Sequence, residues 1–581
     1  MKKYLFPISL AALAIILFQS SNVTVIIAGI AIFLIGMIFM EEGFKLFSGG
    51  ILERALQNTT NTLPKAIGTG IISTSIVQSS SLITVIIISF LSAELITLSG
   101  AIGVVFGSNI GTTTTAWIVS SFGVKIKIAA YAMPMIIFGV IFKLSKSRSY
   151  QGFGNILIGL GFVFLGIEYM KEGFDSMREK LDLAKFAIEG YLGVLVYVLL
   201  GAVATIIIQS SSATMALIIT ALASNQIVYI NALELAIGAN IGTTVTAIIG
   251  ALTSNENGKR LAVAHFVFNA VTAFFAIILI YQFQALVDYL GEMIGIAEDY
   301  TMKLALFHTV FNIFGVLLVA PFTNYLVRFL ESLFVSQKED EVKAKYLNPV
   351  VVKIPDAAIK AIKNEVVNLY DNALKLISNA LYIEKEICDG TTCSSNIRFS
   401  EPSERVDVES YYAKNLKSLY SEIIYFSTLA QESMSESEKN YTYDYKLASR
   451  DIVEAIKDLK ELNKNLYLYL KSKNSHIKEE YNTLRLMLAN IIVELERLRF
   501  ESDDIEALSN VHILKHRLKE LDNIKNDKID SLIRQNHIDS KMATSLINDS
   551  NYVHDIAKRL IEASTILWIE DRDIQNLGIE S

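Results

Sequence analysis

Apolar residues gather in long runs over the first 330 positions: Tyr4–Ser20, Val23–Met40, Leu82–Phe90, Ala101–Phe106, Ile126–Phe142, Phe153–Leu165, Leu192–Ile208, Leu217–Leu222, Leu261–Tyr281 and Met302–Leu326. A bilayer span needs about 20 mostly apolar residues, and several runs reach that length once flanking Ser, Thr and Gly are counted. Others stop short, cut by polar clusters. Lipid offers no hydrogen bonds, so a helix is interrupted only where protein or a water-filled cavity meets the freed backbone. Beyond about residue 350 the pattern becomes amphipathic at helical period, with helices expected at about 355–387, 403–435, 443–473, 475–502, 504–535 and 549–575. The expected fold is all-α: a polytopic membrane domain over 1–335, a linker over 336–352, and a soluble six-helix tail over 353–581.

Composition sharpens that division. Residues 1–335 hold 18 Lys/Arg and 17 Asp/Glu, whereas residues 336–581 hold 34 and 42. Of 31 glycines, only Gly390 and Gly578 lie in the tail. A wholly soluble enzyme, a disordered regulator and a disulfide-rich secreted domain are excluded. Cys388 and Cys393, the two cysteines, are too few for a disulfide framework or a four-ligand zinc site and read as reduced thiols. The acidic tail argues against nucleic-acid binding. Met1-Lys2-Lys3 ahead of the first run resembles a signal peptide, but with no small-x-small cleavage site after Gln19 it reads as a retained first helix. The positive-inside count over Lys143–Arg148 and Lys259-Arg260 does not set the orientation. The charged tail is placed in the cytoplasm because it is more easily left there than exported.

The membrane half repeats itself. Gln78-Ser79-Ser80-Ser81 recurs as Gln209-Ser210-Ser211-Ser212, 131 residues on. Gly107-Ser108-Asn109-Ile110-Gly111-Thr112-Thr113 recurs as Gly238-Ala239-Asn240-Ile241-Gly242-Thr243-Thr244 at the same offset, and Glu42-Gly43-Phe44 recurs as Glu172-Gly173-Phe174. Repeats at about 24–145 and 154–283, with a final span near 302–330, suggest a transporter in which broken helices from two related halves form a midplane site.

The motifs suit such a site. One amide and three consecutive hydroxyls point about 100° apart on a regular helix, so some would face lipid unsatisfied; a re-entrant or broken helix turns them into a cavity. An anion gains there from hydroxyl and amide donors and a helix N-terminus, and the same oxygens suit a hard cation such as sodium. The plainer reading, serines and threonines packing between helices, is weakened by two copies in one register. Glycines at four-residue spacing read as close packing. Asn109 and Asn240 read as lining residues, and Thr112, Thr113, Thr243 and Thr244 divide between packing and lining. Glu42, Glu94, Glu168, Glu172 and Glu234 lie near span ends. His265 and His308, in matching His-x-x-Phe-Asn sequences, read as structural, with proton sensing the alternative. No Arg lies inside either motif.

At these residues the sequence resembles the type II sodium-dependent phosphate cotransporters, whose hallmark is a pair of Gln-Ser-Ser-Ser elements in inverted repeats, matched by Gln78–Ser81 and Gln209–Ser212. The resemblance covers most of 24–330. It implies sodium-coupled transport of inorganic phosphate across the cell membrane by alternating access, no enzymatic activity, and sodium as coupling ion in place of a cofactor. It also implies that the two tips, Gln78, Ser79, Ser80, Ser81, Gln209, Ser210, Ser211 and Ser212, line the site; with Asn109, Thr112, Thr113, Asn240, Thr243 and Thr244 they are the expected substrate- and ion-binding residues. One departure is that Leu82-Ile83-Thr84 faces Ala213-Thr214-Met215. The tail resembles the two three-helix bundles of PhoU-like regulatory domains. Their acidic metal-binding repeat is matched once, by Glu454-x-x-x-Asp458, which reads as a solvated face. Phosphate, sodium, lipid and a further copy of the chain are the expected partners. A membrane-anchored sensor without transport and a carrier of another small anion are the competing functions.

Overall fold

A computed structural model describes residues 20–48, 59–92, 95–123, 129–178, 190–251, 256–334, 344–348, 351–383, 397–501 and 503–569, with Leu17, Ala55, Leu56 and Ile188. The expected first helix lies outside these residues except at Leu17 and Ser20, as do Glu94, Cys388 and Cys393. The described chain is helical and holds no β-strand. It divides into two compact units, Met1–Ser336 and Gln337–Ser581.

The first unit runs α1 (Ser21–Ser48), α2 (Leu63–Val77), α3 (Ser80–Ser92), α4 (Leu98–Ile118), α5 (Ala129–Lys143), α6 (Arg148–Arg178), α7 (Gly190–Ile208), α8 (Ser211–Ala223), α9 (Tyr229–Ala251), α10 (Glu256–Ile278), α11 (Ile280–Met293), α12 (Tyr300–Val319) and α13 (Thr323–Leu333). Among the described residues six segments are long and apolar enough to cross a membrane: α1, α6, α7, α9, α10 and the stretch Tyr300–Leu333. Their outward faces carry exposed Leu192, Leu199, Ile207 and Leu317, a surface suited to lipid rather than water. The 13 residues of α3 and of α8 extend only about 20 Å at 1.5 Å each, short of a bilayer's hydrocarbon depth of about 30 Å.

Glycines set how closely these helices approach. A Cβ on Gly36 would lie 2.6 Å from Gly159 O, one on Gly29 2.8 Å from Gly166 O, and one on Gly43 2.7 Å from Gly152 O. As residue numbers rise along α1 they fall along α6, so the two helices pack antiparallel, backbone against backbone. The second contact is duplicated: a Cβ on Gly107 would collide with the Ile67 carbonyl, and one on Gly238 with the Val198 carbonyl. Those pairs are 131 residues apart and join α2 to α4 and α7 to α9. Buried Phe33, Ile167, Met170, Ile219, Phe307 and Phe311 belong to one continuous core around them.

The second unit contains α14 (Pro355–Ala380), α15 (Lys417–Ala430), α16 (Glu436–Leu470), α17 (Ser475–Leu498), α18 (Asp504–Arg534) and α19 (Ser540–Trp568). Helices α14, α15 and α16 pack on one another, α17, α18 and α19 do likewise, and α16 lies along α19. Local chemistry moves several expected boundaries. α16 begins at Glu436 because Ser435 and Glu438 form a reciprocal capping box. Asp539 caps α19 from Ser540, nine residues before the expected start. α14 stops at Ala380, ahead of Tyr382 at φ 56°. Within the expected linker, Lys345 and Tyr346 donate backbone N–H groups to buried Glu365 at 2.8 and 2.7 Å, tying that stretch to α14.

Candidate functional site

Each Gln-Ser-Ser-Ser element sits at a helix break made by its glutamine. α2 ends at Gln78, left-handed at φ 58°, and α7 ends at Gln209 at φ 60°. Non-glycine residues rarely occupy this region, and surrounding contacts must hold them there. Both glutamines still close the last helical turn, Gln78 N donating to Thr74 O at 2.8 Å and Gln209 N to Thr205 O at 2.7 Å. A new helix then starts at once. Ser79 Oγ accepts from Leu82 N at 3.2 Å, and Ser210 Oγ accepts from Ala213 N at 3.2 Å, so each motif's first serine caps the helix it begins. The amide hydrogens of Ser80, Ser81, Ser211 and Ser212 are first-turn groups without an intrahelical acceptor.

The two breaks open on one cavity of about 350 Å³, lined by Gln78–Ser81 and Gln209–Ser212 together with Glu41, Thr84, Thr205, Thr243, Thr246 and His265. Two helix N-termini, each equivalent to about half a positive charge, therefore serve one space. A second void of about 10 Å³ is lined by Ser80, Thr84, Ser108, Asn109, Thr112, Ser211, Asn240, Thr243 and His265, and shares Ser80, Thr84, Ser211, Thr243 and His265 with the first. Of the fourteen sequence candidates, Thr113 and Thr244 line neither. Thr113 donates to Ile110 O and accepts from Thr309 at 3.1 Å, and Thr244 donates to Ile241 O at 2.8 Å, so both hydroxyls are spent on helix packing.

The copies are not equivalent. Buried Gln78 donates to Thr114 Oγ1 at 2.8 Å and to the Ser75 carbonyl, and accepts from Thr115 Oγ1 at 2.8 Å. Exposed Gln209 donates to the Ile206 carbonyl. Beside the small void, Asn269 donates to Asn240 O at 2.9 Å and Thr243 Oγ1 at 3.1 Å, and Asn240 donates to Asn312 Oδ1 at 3.3 Å. The Asn109 and Asn269 amide nitrogens lie 3.5 and 3.2 Å from His265 Nε2. With Nε2 placed as acceptor, the proton is assigned to Nδ1, which is buried without a partner among the described residues.

His265 and Asn269 therefore belong to the site, although sequence reasoning set the His-x-x-Phe-Asn pair aside as structural. Its spacing of 43 broke the main repeat, yet the paired asparagines were the available signal. Glu41 was missed altogether. It precedes the repeated Glu42-Gly43-Phe44 and has no duplicate to mark it; of the two neighbours Glu41 lines the cavity, whereas Glu42 is exposed and does not. In the tail, Glu454 pairs with Lys457 at 2.6 Å and Asp458 with Arg559 at 3.2 Å. No cluster of three or more His, Cys, Asp or Glu side chains that could hold a metal occurs among the described residues.

Comparison with known proteins shows what this chain is similar to. Residues 32–172 and 185–298 match the Na+/Pi-cotransporter family. Each matched segment contains one Gln-Ser-Ser-Ser break. YjbB of Escherichia coli strain K12, a protein named for inorganic phosphate export, is 25% identical over 419 residues, covering 71% of this chain and 72% of that protein. Its counterpart in Escherichia coli O157:H7 aligns over 525 residues at 25% identity, 88% of this chain and 91% of that one. YqeW of Bacillus subtilis strain 168 is 28% identical over 304 residues, 52% of this chain and 95% of that protein. No solved structure matches the chain.

Proposed function

We propose that the chain is a secondary transporter that moves inorganic phosphate across the cell membrane, coupled to sodium. The observation that carries this reading is the convergence of both Gln-Ser-Ser-Ser breaks on one cavity. Uncapped amides and serine hydroxyls at two helix N-termini supply the donors and partial positive charge that a tetrahedral oxyanion needs. Among the described residues no Lys or Arg lines the cavity, so a cation bound beside the anion completes the charge balance. The small void of about 10 Å³, lined by neutral hydroxyl and amide oxygens, suits one dehydrated sodium ion. The match to the Na+/Pi-cotransporter family supports the same assignment.

Alternating access follows from the repeat. α1 and α6, which occupy equivalent places in the two copies, run antiparallel, as inverted halves require. Rocking of one half against the other exposes a shared site to each side in turn. Transport of this kind is reversible, so the phosphate and sodium gradients set its direction; two of the relatives are named for inorganic phosphate export. The grouping of the tail's six helices into two sets of three supports reading it as a PhoU-like regulatory domain, and its charge supports a cytoplasmic place for it.

The test is phosphate flux in proteoliposomes containing the full chain. Flux that requires sodium and is lost when potassium replaces it supports the proposal. Flux indifferent to the cation removes sodium coupling, and absence of phosphate flux in either direction removes the transport reading.

A further inference from the structure

A carboxylate lining an anion cavity is electrostatically out of place, and among the described residues Glu41 is the only Asp or Glu that lines this one. Its Oε1 pairs with Lys45 Nζ at 3.0 Å, and its Oε2 accepts from Ser79 Oγ at 3.2 Å. The Ser79 hydroxyl is 3.3 Å from Ser81 Oγ, so the carboxylate is wired into the first motif. Each ionised carboxylate oxygen can accept two hydrogen bonds and donate none. One acceptor position on Oε2 therefore remains after Ser79 is served. The other polar groups of the cavity are hydroxyls, which donate or accept, glutamine amides, which donate through nitrogen and accept through oxygen, and the neutral ring of His265. Among the described lining residues Glu41 is the one charged acceptor, and it repels an anion that brings no donor to it.

Resting on the phosphate reading above, we propose that Glu41 is a specificity-determining residue: it accepts a hydrogen bond from a ligand P–O–H group, so that the cavity takes a protonated oxyanion and rejects an unprotonated one. Inorganic phosphate carries at least one such proton at neutral pH, and sulfate carries none. Facing sulfate, Glu41 meets only a further anionic acceptor, and repulsion replaces a hydrogen bond. Sites built to bond a substrate hydroxyl can reject an analogue lacking it by factors of about 10⁴; at a carboxylate about one-third exposed the expected preference is about 100-fold.

The experiment is calorimetric titration of the full chain in detergent and sodium buffer, with phosphate, sulfate and monofluorophosphate, which keeps the tetrahedral shape and double charge of phosphate at pH 8 but lacks the proton. The wild-type chain is expected to prefer phosphate over both by about 100-fold, and Glu41→Gln to compress both ratios at least tenfold, because its side-chain amide can donate to any of the three. Loss of negative charge strengthens all three anions together, so the ratio isolates the hydrogen bond. Glu42→Gln, outside the cavity, leaves it unchanged. Wild-type protein binding monofluorophosphate as tightly as phosphate overturns the proposal whether or not the variant folds. An unchanged ratio in Glu41→Gln also overturns it, and if the sodium requirement shifts instead, Glu41 is a cation ligand. Both results leave the phosphate reading standing, whereas wild-type protein that binds no phosphate removes that reading and this proposal with it.

Discussion

Gln78 and Ser212, from different copies of one motif, are joined through a single hydroxyl. Thr115 Oγ1 donates to Gln78 Oε1 at 2.8 Å and lies 3.3 Å from Ser212 Oγ; with its own proton committed, Thr115 accepts from Ser212. The equivalent threonine, Thr246, donates to Thr243 O at 2.6 Å and lines the cavity. Pseudo-symmetric sequence thus produces an asymmetric site, one glutamine locked and the other open.

That asymmetry separates two substitutions that look alike in sequence. Gln209→Leu is expected to abolish phosphate flux with a thermal unfolding midpoint close to wild type, since its side chain makes one local bond at an exposed position. Gln78→Leu is expected to abolish flux and also to lower stability by about 1–3 kcal/mol, because it removes the buried side chain's bonds to Thr114 and Thr115. Flux assays paired with thermal unfolding in detergent separate the cases, and normal flux in both variants excludes the amides from the mechanism.

The polar cluster beside the small void makes its own prediction. Asn269 serves Asn240, Thr243 and His265 at once, so Asn269→Ala removes a hydrogen bond from each of them together, at a cost of about 2 kcal/mol or more. The expected result is a lowered unfolding midpoint together with a raised sodium requirement for flux. A shifted midpoint with an unaltered sodium dependence would place the cation elsewhere.

Gly36 sits where α1 and α6 touch through their backbones. Because even a Cβ would come within 2.6 Å of both Gly159 O and Val163 N, Gly36→Val must push the helices apart. Stability losses of about 3 kcal/mol or more are expected from such overpacking, read as poor accumulation in the membrane and a lower midpoint. Gly68→Ala, whose Cβ would meet nothing within 4 Å, is the matched control.

The tail carries a pH dependence of definite sign. Burial pushes the Glu496 carboxyl up to about 7 and the Asp549 carboxyl up to about 6. A carboxyl with a raised folded-state value binds its proton more tightly in the native state, so its contribution is fully present below the unfolded value and is lost as pH rises through the folded one. The tail is therefore expected to unfold more readily at pH 8 than at pH 5. Trp568, which stacks edge-on against Tyr370 at 5.8 Å and lies under Arg499, reports this by fluorescence once Trp117 is replaced by Phe. Glu496→Gln should flatten the profile; a profile that rises with pH would contradict the assignment.

The all-helical fold, the division into an apolar and a charged unit, and the duplicated motifs were legible in the sequence. Each depends on local composition or on periodicity along the chain, as do the helix breaks at Gln78 and Gln209, announced by polar residues that an unbroken helix could not satisfy in lipid. What tertiary structure alone decided is which chemistry-bearing side chains share a space. Glu41 enters the cavity while its neighbour Glu42 points away, His265 and Asn269 join the site from a helix whose spacing broke the repeat, and Thr113 and Thr244 leave it for packing. Those outcomes turn on the rotation of each helix about its axis and on how closely paired glycines let backbones approach. Both are set by contacts such as Gly36 to Gly159 and Gly107 to Ile67, between residues 40 or more positions apart, and no local pattern encodes them.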